Sequence, residues 1–323
     1  MKALVYHEYG PPDVLNVEEI QKPAPKDDEV LIKVEAASVN PLDWRLMKGQ
    51  PRVVRVVSKV LKLQKGRPGV DVAGVVEAVG KNVTEFKTGA RVFGGCRGAF
   101  ADYVCTPESK IVSIPDNVTF EQAAAVNVAG LTALQGLRDK ARIQRGKTVL
   151  INGAAGGVGT FAVQIAKTFG AEVTGVCSTR NLELVKSIGA DAVIDYTRED
   201  FTKSGKRYDV VFDCVGNKSI AACRRALKPH GRHILIGASH EPKVTEILFS
   251  LIQSALLSFF TQEKSIAFMA KASREDLRFI GELIADGKLT PVIDRCYKLS
   301  EGVDALRHVE AGHARGKVLI TMG

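Results

Sequence analysis

Short apolar runs, separated by turns rich in glycine, proline and asparagine, fill the first 120 residues of the chain. The runs are rich in the β-branched residues that favour strands, and they lie at 3–6, 30–38, 72–79, 90–93 and 101–105. Short strands bounded by such turns predict a compact and largely antiparallel β domain.

From Thr148 onward the apolar positions follow a different pattern, in which strand-like and helix-like segments alternate. The predicted strands lie at 148–152, 172–176, 193–195, 209–213 and 232–236. The predicted helices lie at 158–169, 181–188 and 220–227. This alternation predicts a parallel sheet with helices packed on it. At the end of the chain we expect further elements that pack on the first domain: helices at 275–286 and 301–310 and a strand at 317–321.

The composition is that of an ordinary folded protein. The chain has 323 residues, of which 45% are hydrophobic and 25% are charged. These values argue against long disordered segments, and the length suggests two domains. The formal net charge of +9 is compatible with three anionic partners, namely a nucleotide phosphate, a nucleic acid or an acidic lipid surface, and does not choose among them.

The six cysteines are scattered singly and include no C-x-x-C pair. They suggest neither a disulfide framework nor a tetrathiolate zinc site, and reduced thiols fit a cytoplasmic protein. Residues 1–9 lack the pattern of a secretory signal. The most apolar stretch, 247–260, is about 14 residues long and too short to span a bilayer, which needs about 20.

A glycine-rich loop, GAAGGVG at 153–159, joins a predicted strand to a predicted helix. In a dinucleotide fold such a loop lets the backbone approach a pyrophosphate, here at Gly156, and lets helix and strand pack closely, here at Gly159. Ala154 stands where the first glycine of the usual fingerprint would be. The loop predicts cofactor binding, with a tight structural turn as the alternative. The predicted cofactor residues of the loop are Ala154, Ala155, Gly156, Gly157, Val158 and Gly159.

The residues at the end of the second predicted strand distinguish NADPH from NADH as the cofactor. An acidic residue about 20 residues after the loop would bind the ribose of NAD and repel a 2′-phosphate, but 176–181 reads VCSTRN and contains no acid. Ser178 and Arg180 can instead form charge-assisted hydrogen bonds with a phosphate. The sequence therefore predicts NADPH; the alternative is that Arg180 is only a solvated charge.

Several blocks occur in the order found in one enzyme family: SVNPLD at 38–43, GVDVAGVVEAVG at 69–80, AGLTA at 129–133, AAGGVG at 154–159 and GKV at 316–318. Together they resemble the zinc-independent quinone oxidoreductase branch of the medium-chain dehydrogenase/reductase superfamily. The resemblance implies an α/β protein with two domains. A GroES-like, largely antiparallel β catalytic domain would comprise 1–122 and 271–323. A Rossmann domain with a doubly wound parallel sheet would comprise 123–270 and bind NADPH, and the protein would form a homo-oligomer, most simply a dimer.

The resemblance also bears on the chemistry. Where zinc alcohol dehydrogenases place their metal ligands, this chain has Asn40, Val70-Asp71 and Asn127-Val128. These side chains cannot form a site of thiolates and imidazoles, so we expect no metal. Metal-free hydride transfer suits an acceptor that is already electrophilic, such as a quinone or an α,β-unsaturated carbonyl compound, whose oxyanion can be hydrogen-bonded.

Further site residues follow from the resemblance. Asn40, Asp43 and Thr132 are the candidate catalytic residues. Alternatively, Asn40 satisfies the turn before Pro41, Asp43 has a structural role, and the Thr132 hydroxyl bonds only the local backbone. The remaining candidate cofactor contacts are Ser178, Arg180 and Tyr196 at the adenosine phosphate, Cys214, Val215, Gly216, Ile236, Gly237 and Ala238 at two strand ends, and Lys317 in the last strand. The alternative for Lys317 is a solvated lysine. No general acid is evident, so water could supply the proton.

A basic segment at 51–65 departs from the commoner family pattern. Cations recur at three- or four-residue steps between apolar residues, at Arg52, Arg55, Lys59, Lys62 and Lys65. A helix here would carry a basic stripe and an apolar face, which suits a lid over the substrate or peripheral contact with an anionic membrane. Nucleic acid is disfavoured, because the chain has no RNA-binding motif and only 6% aromatic residues.

Two other functions share the same glycine loop. One is a non-catalytic NADPH-binding protein that acts as a crystallin, a sensor or an RNA binder. The other is an enoyl-thioester reductase of lipid synthesis. The sequence does not name the substrate.

Overall fold

The computed structural model describes residues 1–49, 66–237 and 263–322. The basic segment 51–65, the apolar stretch 247–260 and the predicted cofactor residue Ala238 lie outside the described residues. Within the described ranges, no helix has both the length and the apolar character needed to cross a membrane.

The described chain contains strands and helices with the following bounds. The strands are β1 Lys2–Tyr6, β2 Leu15–Glu19, β3 Glu29–Val39, β4 Asp71–Val79, β5 Arg91–Gly95, β6 Tyr103–Pro107, β7 Ile111–Ser113, β8 Thr148–Asn152, β9 Glu172–Cys177, β10 Ala192–Asp195, β11 Tyr208–Asp213, β12 Leu227–Leu235, β13 Lys264–Ala267, β14 Ile293–Lys298 and β15 Lys317–Thr321. The α-helices are α1 Pro41–Met47, α2 Phe120–Ala124, α3 Asn127–Gln135, α4 Gly157–Thr168, α5 Leu182–Ser187, α6 Ile220–Arg225, α7 Arg274–Ala285 and α8 Gly302–Glu310.

The chain divides into two compact units. The terminal unit comprises Met1–Leu131 and Ala272–Gly323, and the central unit comprises Thr132–Lys271. The first division falls within α3, nine residues beyond the 122/123 boundary expected from the sequence, because this helix contributes residues to both units.

The terminal unit contains a seven-stranded sheet in the order β14-β15-β3-β4-β5-β7, with β6 paired to β3. All of its pairings are antiparallel except that of β14 with β15. Its longest strand, β3, has 11 residues and pairs with β4, β6 and β15, so it forms the centre of the sheet. The apolar faces enclose a core that includes Leu4, Ile32 and Phe100. This arrangement confirms the predicted GroES-like β domain.

The central unit contains a six-stranded sheet in the order β10-β9-β8-β11-β12-β13, and every pairing in it is parallel. The strand order reverses between β8 and β11, as in a Rossmann fold, so the predicted doubly wound sheet is confirmed. In such a sheet the carboxyl ends of the strands form the ligand-binding edge. The glycine loop and both predicted strand-end segments follow β8, β11 and β12 at that edge.

Candidate active site

The glycine loop after β8 has the local structure that a pyrophosphate-binding loop requires. Gly153 has a φ of +83°, which favours glycine, and Gly156 caps the amino end of α4 with extended backbone. A Cβ on Gly159 would clash with the carbonyl oxygen of Gly153 and would lie 2.8 Å from the Cα of Ala154. Gly159 therefore lets α4 pack directly on the end of β8.

Gly156 has the opposite environment. Apart from its chain neighbours, the nearest atom to a Cβ built on it is the carbonyl oxygen of Gly153 at 3.4 Å, and among the described residues no other atom approaches that Cβ within 4 Å. This space lies at the start of α4, where the N–H groups of the first turn have no partner within the helix and attract anions. Gly157 and Val158 are partly exposed beside it, whereas Ala154 and Ala155 are buried. The loop fits a dinucleotide phosphate.

The residues predicted to bind the adenosine phosphate follow neighbouring strands. Ser178 directly follows β9 and is partly exposed, and Arg180 is exposed in the short turn after it. The backbone N–H of Tyr196 donates to the carbonyl of Cys177 at 3.0 Å, which holds Tyr196 beside the end of β9 with 59% of its surface exposed. The structure thus brings Ser178, Arg180 and Tyr196 to one edge of the sheet.

One acidic residue at this edge was missed in the sequence. Asp195 ends β10 and accepts hydrogen bonds from Thr179 Oγ1 at 2.5 Å and Thr197 Oγ1 at 2.7 Å. The hydrogen bond from Thr179 is the largest factor lowering the pKa of Asp195, so the carboxylate is charged. Its charge opposes a 2′-phosphate, and Arg198, whose Nε lies 3.6 Å away, offsets part of it. The usual acidic residue of the fingerprint lies at the end of the second strand, here β9, whereas Asp195 lies at the end of β10.

The two predicted strand-end segments are packed against each other. The N–H groups of Val215 and Gly216 donate to Asp213 Oδ1 at 3.0 and 2.9 Å, which fixes the turn after β11. A Cβ on Gly237 would clash with the carbonyl group of Cys214, so the chain after β12 contacts this turn directly. The structure therefore brings the predicted cofactor residues at 214–216 together with those at 236–237.

In the terminal unit, the buried carboxylate of Asp71 is hydrogen-bonded to the residues at the positions that the family resemblance matches to zinc ligands. Asp71 is fully buried, and its Oδ2 accepts hydrogen bonds from Ser38 Oγ at 2.5 Å and Asn40 Nδ2 at 2.9 Å. Its Oδ1 accepts hydrogen bonds from Asn127 Nδ2 at 2.9 Å and the N–H of Val128 at 3.2 Å. The residues at the positions matched to metal ligands are thus hydrogen-bonded to one another.

Lys317 completes this network and carries its positive charge. Its Nζ donates to Asn40 Oδ1 at 2.7 Å and lies 3.5 Å from Asp71 Oδ2, and the residue is only 3% exposed. Burial lowers the pKa of Lys317, and the neighbouring Asp71 opposes that shift. The alternative of a solvated lysine is therefore wrong. We call Asn40, Asp71, Asn127 and Lys317 the amide–carboxylate–lysine network.

Asn40 and Asp43 both hold local structure in this unit. The Nδ2 of Asn40 donates to Asp71 and, at 3.3 Å, to the carbonyl of Ser38, so both of its amide hydrogens have protein acceptors. Asp43 is buried and accepts hydrogen bonds from the N–H of Asn40 at 2.7 Å and of Gly69 at 3.0 Å. Burial raises the pKa of Asp43 to about 7, with Asp71 adding to the rise.

Thr132, the third candidate catalytic residue, lies in α3 within the central unit and is 8% exposed. It is therefore a buried residue within a helix.

Comparison with known proteins supports the same family. Residues 26–116 match the family model described as the alcohol dehydrogenase GroES-like domain, and residues 188–320 match the model described as zinc-binding dehydrogenase. The chain is 34% identical to the chloroplastic quinone-oxidoreductase homolog of Spinacia oleracea, over 99% of this chain and 98% of that protein.

A second relative and a solved structure agree with the first. The chain is 33% identical to the chloroplastic NADPH-dependent alkenal/one oxidoreductase of Arabidopsis thaliana, over 99% of this chain and 79% of that protein. The quinone oxidoreductase structure from Coxiella burnetii has 31% identity and a TM-score of 0.88, and the match covers 100% of this chain and 99% of that one.

The relatives extend over both units, and the two matched models cover part of the terminal unit and the second half of the central unit. The family resemblance carried by the sequence blocks is confirmed. The chain therefore belongs to the quinone oxidoreductase branch of the medium-chain dehydrogenase/reductase superfamily, and it is an oxidoreductase that binds NAD(P)H and acts on a small-molecule substrate.

Proposed function

We propose that the protein is an NADPH-dependent reductase of quinones or α,β-unsaturated carbonyl compounds that works without zinc. The amide–carboxylate–lysine network carries the proposal, because three of its members, Asn40, Asp71 and Asn127, occupy positions that the family resemblance matches to the metal ligands of zinc alcohol dehydrogenases, and Lys317 is bonded to Asn40. The amides and the carboxylate of this network are already hydrogen-bonded to one another, and the network includes the Lys317 ammonium. It contains no thiolate or imidazole that could bind zinc. Without a Lewis acid, the reaction requires an acceptor that is electrophilic before it binds.

NADPH, rather than NADH, is the proposed cofactor, and when bound it supplies the hydride. The space at Gly156 and the anion-attracting start of α4 suit its pyrophosphate. Ser178 and Arg180 at the end of β9 suit its 2′-phosphate, with Tyr196 beside them. The Arabidopsis relative is named as NADPH-dependent, which supports the same choice.

We assign the charge stabilisation to Lys317. An ammonium group has three donors, and within the described residues its acceptors are Asn40 and Asp71, so a third donor can serve an acceptor oxygen as negative charge develops there. Asn40 and Asp71 act as positioning residues that hold Nζ. Thr132 stays a candidate catalytic residue.

The proton that completes the reduction is assigned to water. Asp43 has a pKa of about 7, but both of its carboxylate oxygens accept backbone hydrogen bonds. Asp43 therefore serves to hold the start of α1 and the chain at Gly69. Reduction of an enone then adds the hydride to the β-carbon and the proton to the α-carbon.

A panel of acceptors tests this function. NADPH oxidation is followed by absorbance with small soluble quinones, enones, alkenals and enoyl thioesters, with NADH as the comparison. Turnover of quinones or enones with NADPH supports the proposal. Cofactor binding without turnover of any acceptor would indicate the non-catalytic alternative, and turnover confined to enoyl thioesters would indicate a lipid-synthesis reductase.

The cellular setting belongs to the same proposal. We propose a cytoplasmic homodimer, consistent with the six free cysteines, and peripheral contact with an anionic membrane through the basic segment 51–65. Each cation near such a surface contributes about 1 kcal/mol. Sedimentation equilibrium tests the dimer. Sedimentation with anionic liposomes at low salt tests the membrane contact, and protein that stays in the supernatant would leave the lid as the explanation of this segment.

A further inference from the structure

Three buried side chains of the central unit meet on one face of its sheet. Asp213 ends β11, His233 lies on β12, and Cys223 lies on α6. Their exposed fractions are 0%, 1% and 0%. One potential ligand atom from each residue lies within 4.8 Å of the other two. Because Val211 is paired with His233 and Asp213 with Leu235, the side chains of Asp213 and His233 point to the same face.

Two atoms of this cluster lack hydrogen-bond partners among the described residues. They are Asp213 Oδ2 and His233 Nε2, which lie 3.7 Å apart, too far for a hydrogen bond between them. The other oxygen of Asp213 accepts three donors, from Asn152 and from the N–H groups of Val215 and Gly216. The carboxylate therefore cannot turn away from His233 without losing those bonds.

The neutral tautomer of His233 decides what the ring presents to Asp213. Its Nδ1 lies 3.3 Å from Ser265 Oγ. A proton on Nδ1 that is donated to Ser265 leaves Nε2 as an acceptor. Two acceptor atoms that face each other in a fully buried site cost free energy unless a cation or another donor lies between them.

We propose that Asp213, Cys223 and His233 bind a divalent transition-metal ion of the zinc class in the central unit. Carboxylate, thiolate and imidazole are all zinc ligands, and tetrahedral bonds of about 2.0–2.3 Å separate ligand atoms by about 3.3–3.6 Å. The 3.7 Å separation of Asp213 Oδ2 and His233 Nε2 is close to that value, and the Cys223 thiol, which lies within 4.8 Å of both atoms, would have to move closer to them. A water molecule would complete the tetrahedron.

The charges also balance. Burial raises the pKa of Cys223 to about 12, with Asp213 adding to the rise, so without a metal this group is a neutral thiol. A bound divalent cation displaces the thiol proton to solvent, and the resulting thiolate and the Asp213 carboxylate together neutralise the ion. The site belongs to the central unit, whereas the amide–carboxylate–lysine network belongs to the terminal unit, so this proposal does not depend on zinc in catalysis.

A metal here would have a structural role. It would join β11, β12 and α6, and through Asp213 it would stiffen the turn at Val215 and Gly216, whose N–H groups bind the other oxygen of the same carboxylate. Because the ligands are buried, the ion must enter during folding. The protein should therefore be loaded by expression in zinc- or cobalt-supplemented medium.

Metal content after such expression tests the proposal. The cobalt-loaded wild type should hold about one ion per chain and show a thiolate-to-cobalt charge-transfer band in the near ultraviolet. Cys223→Ser should lose the band and His233→Gln most of the metal. Cys105→Ser, which removes a half-buried thiol of the terminal unit, should retain both.

Asp213→Asn guards against variants that simply fail to fold. Its amide keeps an oxygen for the three donors and places an N–H toward His233 Nε2, so this variant should fold, with an unchanged far-ultraviolet circular dichroism spectrum, and hold no metal. X-ray absorption of the zinc-loaded wild type should show one sulfur and otherwise nitrogen or oxygen ligands. Wild-type protein without metal, or metal retained equally by Cys223→Ser and Asp213→Asn, would overturn the proposal.

Discussion

Single residues set the charge inside the terminal unit. Asp71 and Lys317 are almost fully buried, and their Oδ2 and Nζ atoms lie 3.5 Å apart. Taking charges out of water costs several kcal/mol, so such a pair persists only where hydrogen bonds satisfy its remaining atoms. Ser38, Asn40, Asn127 and the N–H of Val128 meet that condition for Asp71.

Removing Lys317 alone should therefore be costly. Lys317→Met leaves the buried Asp71 carboxylate without its cation and should lower the free energy of unfolding by about 3–5 kcal/mol, as measured by urea denaturation. The double variant Asp71→Asn/Lys317→Met should recover part of the loss, because it removes both charges. Lys288→Met, at a lysine that is 61% exposed, is the control. An equal loss in the single and double variants would contradict the coupling.

Asp43 gives the stability a pH dependence. Burial raises its pKa from 3.8 to about 7, so the folded protein holds a proton that the unfolded chain releases. The stabilisation from this group is complete below about pH 4 and is lost as the pH rises to 7; three pKa units correspond to about 4 kcal/mol. The free energy of unfolding of the wild type should fall across this window relative to Asp43→Asn. Parallel profiles for the two proteins would show that Asp43 does not titrate there.

Arg180 should discriminate between the two nicotinamide cofactors. Loss of one arginine–phosphate interaction of about 1.5–3 kcal/mol lowers affinity about 10- to 150-fold. Arg180→Ala should bind NADPH more weakly by that factor and NADH almost unchanged, as measured by titration calorimetry. Arg207→Ala, at another exposed arginine of the central unit, should bind both cofactors like the wild type. Equal affinity of the wild type for NADPH and NADH would refute the preference.

The sequence identified Lys317 as a candidate site residue, but it did not show that Lys317 is buried or that Asp195 lies beside Thr179. Lysines at the start of a last strand are usually solvated, yet β15 lies between β14 and β3, so the sheet buries Lys317. Asp195 could not be related to the adenosine end from the motif alone, because its proximity to Thr179 depends on the pairing of β10 with β9. Burial and cross-strand contacts are tertiary properties.

At the scale of elements, the glycine loop combines one tightly packed position with one open position. Gly159 leaves no room for a side chain between α4 and the end of β8, whereas Gly156 has open space beside it. Replacement by alanine should therefore affect different properties at the two positions.

Gly156→Ala should fold normally and bind NADPH at least about 10-fold more weakly, or about 1.4 kcal/mol, because the methyl group occupies space proposed for the pyrophosphate. Gly159→Ala should instead lower the melting temperature, because its Cβ meets backbone atoms of Gly153 and Ala154. Thermal unfolding and cofactor titration of both variants separate the effects. Unchanged NADPH affinity in a folded Gly156→Ala would place the pyrophosphate elsewhere.

The sequence predicted the central strands of the parallel sheet better than two strands at sheet edges. β8, β9 and β11 were predicted to within a residue or two, because most of their residues are buried in the middle of the sheet and apolar residues predominate there. β13 and β14 were not predicted. Each lies at a sheet edge, where one side of the strand faces no partner strand and polar residues are tolerated.

At the scale of the whole molecule, both ends of the chain build one unit, and the residues of the second unit are inserted between them in the sequence. The family resemblance predicted this discontinuous arrangement. The first boundary could not be located in the sequence, because α3 is a single helix whose residues are divided between the two units. The helix continues across Leu131 and Thr132, so no local signal marks the division.

Deuterium transfer by metal-depleted protein tests the proposed reaction most directly. Protein dialysed against a strong chelator is mixed with NADPH deuterated at C4, in each of the two stereochemical forms, and with a small enone. One form should deliver deuterium to the β-carbon of the product, at the rate of the untreated protein, because the network of Asn40, Asp71, Asn127 and Lys317 needs no metal. A product without label from either form, or a rate restored only by added zinc, would contradict metal-free hydride transfer.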